Sequence, residues 1–68
     1  MKIQAVDIKI GERIVAYCNQ KMQICTVRQI LDNGQDNITL TVFTSVHYRN
    51  SASFVIRFHR DALVEMAC

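Results

Sequence analysis

The sequence predicts an all-β domain, a small barrel of about five antiparallel strands, and three observations carry that expectation. Two segments in the second half alternate apolar and polar residues with a period of two, the spacing of a half-buried strand. β-branched and aromatic side chains dominate those segments, as suits a pleated surface packed on one face. Short polar clusters at strand-length intervals, with no proline and only Gly11 and Gly34, punctuate the chain as hairpin connections would.

Taken in order, the first twelve residues alternate at Val6, Ile8 and Ile10 and turn at Gly11. They read as an extended arm that packs across the sheet. Arg13 to Cys18 is the first full strand. Met22 to Leu31 is the longest segment, with Ile24, Thr26, Val27 and Ile30, and it admits two readings. As a helix over about residues 20–32 it would have Asn19 as N-cap, Ile24, Val27, Ile30 and Leu31 as its stripe, and Gly34 just past its end. That version makes the domain α+β; the concentration of β-branched residues favours the strand. Asn33-Gly34 marks a tight turn, because both residues tolerate positive φ. Ile38 to Val46 then places Ile38, Leu40, Val42, Thr44 and Val46 on one face. Ala52 to Phe58 does the same with Phe54, Ile56 and Phe58. A turn over Arg60-Asp61-Ala62 leads to a last strand from Leu63 to Met66, with a short helix capped by Asp61 as the competing reading.

Residues 1–68 suffice for one domain. A chain this short buries only about 60% of the surface exposed when unfolded, so its stability is marginal and self-association would help it. Eight Lys and Arg against six Asp and Glu leave a net charge of +2, less basic than dedicated nucleic-acid modules. There is no apolar run of membrane-spanning length, and Met1 to Asp7 lacks the apolar core of a signal peptide. The three cysteines, Cys18, Cys25 and Cys68, have no framework spacing, which fits a reducing compartment. The cytoplasm is the expected location.

The arm ending Asp7-Ile8-Lys9-Ile10-Gly11-Glu12-Arg13-Ile14-Val15, three meandering strands, and Phe58-His59-Arg60-Asp61-Ala62-Leu63-Val64-Glu65 follow one another in that order. This pattern resembles SH3-like small β-barrels of the bacterial and phage kind, over nearly the whole chain and at the level of the superfold. The resemblance implies an acidic–basic–apolar lead into the first strand and one tight turn before the last. The extra glycines of ribosome- and transcription-associated KOW barrels are missing, as is an aromatic cluster for polyproline. A superfold hosts many functions and assigns none.

Candidate chemistry is sparse. Cys18, Cys25, His47, His59 and Cys68 are potential metal ligands, but structural zinc sites use closely spaced pairs, whereas six residues separate Cys18 from Cys25. If Ile14, Ala16 and Cys18 face the core together with Ile24, Thr26 and Ile30, Cys25 points to the opposite surface. That parity argues against a metal site and against a Cys18–Cys25 disulfide. His59-Arg60-Asp61 has no nucleophile beside it, and the carboxylates are scattered singly. No catalytic residue, cofactor or metal is expected, and the chain reads as a non-enzyme.

Two binding classes remain. With that parity, Val15, Tyr17, Cys25, Val27, Leu31, Phe43 and Val55 fall on the outer face, which on a one-sided antiparallel sheet should be polar. Strand bending or the N-terminal arm would cover some of them; an exposed remainder marks an interface. The expected function is a non-catalytic binding or adaptor module acting through protein contacts, with a protein partner or a second copy at Val15, Tyr17, Val27, Phe43 and Val55. The alternative is a small nucleic-acid-binding barrel with Arg49, Arg57 and Arg60 on phosphates and Tyr48 stacking on a base.

Overall fold

A computed structural model describes residues 1–18, 20–32, 34–44 and 53–67. Among these residues six antiparallel strands lie in a single sheet: β1 (Lys2–Gln4), β2 (Arg13–Cys18), β3 (Lys21–Leu31), β4 (Asn37–Thr44), β5 (Ser53–His59) and β6 (Leu63–Met66), in the spatial order β1-β6-β2-β3-β4-β5. The domain is all-β, and the ambiguous second segment is strand throughout. The tail is also a strand, with the bounds its pattern suggests. Asn19 and Asn33, and the ends of two expected strands at Val46 and Ala52, lie outside the described residues.

The N-terminal arm departs from simple extension. It holds the short strand β1 and one 3-10 turn, Ala5–Asp7. Ala5 and Val6 donate their N–H groups to the carbonyls of Ala62 and Arg60, at 2.8 and 3.1 Å. The arm is thus fastened to the turn between β5 and β6. Ile8 is buried, but Ile10 faces solvent. Gly11, at φ 94°, makes the bend that left-handed backbone permits, and its N–H reaches the carbonyl of Val27 at 2.9 Å.

Connectivity forces the sheet to curl. In the strand order, β5 stands four positions from β6, about 19 Å in a flat sheet. The chain from His59 to Leu63 spans at most about 14 Å when fully extended. It is shorter still here, because the Ala62 N–H bonds back to the His59 carbonyl at 3.0 Å. The two ends of the sheet therefore approach each other around a common interior. That interior is filled by Ala5, Ile8, Ile14, Ala16, Cys18, Cys25, Val27, Ile38, Leu40, Val42 and Val64, with Ile30, Phe54, Ile56 and Phe58 packed against them.

The register of β3 corrects the expected parity. Ile14 is opposite Cys25 and Val27 is opposite Val42, so Cys25 and Val27 face the core while Met22 and Ile24 face outward. A β-bulge between Val27 and Gln29 then shifts the register. An extra residue reverses which positions face inward, and Ile30 arrives on the core side opposite Leu40.

Candidate functional site

On the outer face, ladder register groups side chains into rows across the strands. Tyr17 of β2 is opposite Met22 of β3, and Val15 is opposite Ile24. Next come Arg13, Thr26 and Phe43, followed by Gln29, Thr41 and Val55, and finally Leu31, Thr39 and Arg57. The first two rows form one apolar patch: Tyr17, Met22 and Ile24 are 64%, 62% and 49% exposed, and Val15 is half-buried beside them. Side chains directly opposite across a ladder lie within about 4.5–5.5 Å at Cβ, so each pair touches.

The expected interface residues divide. Val15 and Tyr17 belong to this patch. Val27 does not: it is 1% exposed in the core, because the bulge lies after it rather than before it. Phe43 is half-buried beneath Arg28, whose guanidinium carbon lies 4.8 Å from the ring centroid, a cation–π arrangement. The same guanidinium donates to Ser53 Oγ at 3.1 Å. Val55 is exposed but stands apart, on the edge strand, with the Arg13–Thr26–Phe43 row between it and the patch. Met22 and Ile24 escaped sequence reasoning. The signal for them was the three-residue step from Val27 to Ile30, which breaks a period of two and marks a bulge.

The expected basic cluster is described only in part. Tyr48 and Arg49, and also His47 and Cys68, lie outside the described residues. Arg60 is ion-paired with Asp32. The Gly34 backbone N–H, and after it Arg60, hold the Asp32 carboxyl below its ordinary range. Arg57 borders a shallow polar depression of about 310 Å³ with Leu31, Gln35, Asn37 and Thr39. At the last turn, His59 Nδ1 accepts the Asp61 N–H at 3.4 Å, a local turn contact.

Cys18 and Cys25, expected on opposite faces, meet inside the curl of the β2–β3 hairpin as free thiols, with Sγ atoms 2.8 Å apart. Gln23 buttresses them: its Nε2 donates to the Cys18 carbonyl at 2.8 Å. Burial, and next the Cys18 side chain, push the Cys25 thiol up to about 12 from an ordinary value of 9.0. A raised pKa means that the folded state holds this proton more tightly than the unfolded chain. The resulting stability is complete below pH 9 and falls as pH rises toward 12. Denaturant melts from about pH 8 to about pH 11 should show an alkaline loss that Cys25→Ala reduces. An unchanged loss would refute the assignment.

Among the described residues no helix is long and apolar enough to cross a membrane. The chain matches no protein-family model, no curated protein and no solved structure.

Proposed function

We propose that this chain is a non-catalytic protein-binding module whose outer β2–β3 surface takes an apolar segment flanked by acidic side chains. The observation that carries this reading is the patch of Tyr17, Met22 and Ile24, each about half or more exposed on two directly opposed pairs. Rigid strands position these side chains, so a partner buries them without first ordering a loop. Burial of such anchors is worth roughly 1.5–3 kcal/mol each. Arg13, on the outer face one row from Val15, favours a partner with carboxylates. The scaffold is read as a small barrel of the SH3-like kind, supported by the curl of the sheet and the tight turn before its last strand. Protein contacts are favoured over nucleic acid because Arg60 is already paired with Asp32.

A random peptide library displayed against the immobilised chain tests this reading. Enriched peptides should carry apolar anchors beside Asp or Glu. Enrichment should disappear with Ile24→Arg and persist with Val55→Arg. No enrichment, or enrichment indifferent to Ile24→Arg, overturns the proposal.

A further inference from the structure

A second surface, independent of the β2–β3 patch, lies at the end of the sheet. β5 pairs with β4 on one side, and among the described residues no strand pairs with the other. It spans seven residues, Ser53–His59, a long row of backbone groups to leave open, and such an edge is a template for another strand. Its inner side chains Phe54, Ile56 and Phe58 pack against the core yet are only half-buried, so they have apolar surface left to cover. No charge stands in that inner row to block an approaching strand.

The inner row of β5, Phe54, Ile56 and Phe58, is symmetric about Ile56. Phe54 and Phe58 are equidistant from it, as are Val55 and Arg57, and Ser53 and His59. We propose that the free edge of β5 pairs antiparallel with β5 of a second copy about a two-fold axis through Ile56, joining two sheets into one. A two-fold contact uses the same patch on both copies, so the strand must complement itself. In this register Phe54 stands opposite Phe58 of the second copy and Ile56 opposite its own equivalent. On the outer face Val55 stands opposite Arg57.

Neighbouring registers do worse. A shift by one residue would set inner side chains opposite outer ones, which the pleat forbids. Centring on Arg57 would oppose two guanidinium groups, and centring on Val55 would shorten the ladder. The register through Ile56 alone uses all seven residues, keeps the inner row apolar and opposes no like charges. Aromatic pairs across a ladder are among its favourable contacts.

Sedimentation equilibrium of the whole chain, from micromolar to millimolar concentration, tests the proposal. The expected species has twice the 7.8 kDa chain mass. Val55→Arg, on an exposed position, places like charges opposite each other twice per dimer and should weaken association about two- to thirtyfold. Val55→Glu, facing Arg57, should strengthen it by a similar factor. Ile24→Arg should leave it unchanged, which separates this proposal from the peptide-binding one. A monomer throughout the range overturns the inference. So does a dimer that ignores both Val55 changes, that both weaken alike, or that Ile24→Arg dissociates.

Discussion

Val27→Asp should leave the chain unfolded, while Ile24→Asp, three positions earlier on the same strand, should leave it folded. Val27 is almost fully buried opposite Val42, in a core that among the described residues holds no buried polar or charged side chain. A carboxylate there has no partner, and burying an unpaired charge is among the few single changes that destabilise by more than about 4–5 kcal/mol. A domain of 68 residues has a total stability of roughly 3–10 kcal/mol, so the change removes most or all of it. Ile24 instead stands on the outer face opposite Val15. Aspartate at that position loses β-propensity and an apolar contact, about 1 kcal/mol. Dispersion of backbone amide resonances distinguishes the two outcomes; a folded Val27→Asp variant beside an unfolded Ile24→Asp variant would reverse the assigned faces.

Leu40→Ala should lower stability by about 2–5 kcal/mol. Leu40 is fully buried at the middle of β4, with Ile30 opposite it on β3 and Ile56 opposite it on β5. Truncation removes a side chain that two neighbouring strands pack against, and the sheet cannot close the void without losing register. Thr41→Ala, one position along and on the outer face, serves as the control and should change stability by less than about 1 kcal/mol. In urea the Leu40→Ala midpoint should fall with the slope unchanged, as for a loss of stability without a change in exposed surface. A midpoint shift no larger than that of Thr41→Ala would remove Leu40 from the centre of the core.

The strands of the second half were legible because their alternation is uninterrupted. Ile38, Leu40 and Val42 are all buried, and Phe54, Ile56 and Phe58 all turn inward. β3 was legible as a strand and misleading as a pattern. Ile24, Thr26 and Ile30 share one parity in sequence, yet the bulge at Arg28 gives Ile30 the opposite orientation from Ile24. One inserted residue changes faces, so a single parity applied from Met22 to Leu31 placed Cys25 and Val27 outside. The thiol pair and the Tyr17–Met22 patch were missed for that same reason. The 3-10 turn at Ala5–Asp7 has a different origin. It is held by backbone bonds to Arg60 and Ala62, contacts distant in sequence that no local pattern encodes. The expected outer positions of Val15, Tyr17 and Val55 depended only on β2 and β5, whose alternation has no bulge, and they were read correctly.

Both the proposed binding surface and the buried thiols rest on the two faces of β3, and solvent accessibility at its methyl groups tests that assignment most directly. A soluble gadolinium chelate broadens the resonances of side chains it can approach. The methyl signals of Met22 and Ile24 should broaden strongly, while those of Val27, Leu40 and Ile14 should persist. Protected Ile24 methyls beside broadened Val27 methyls would contradict the account.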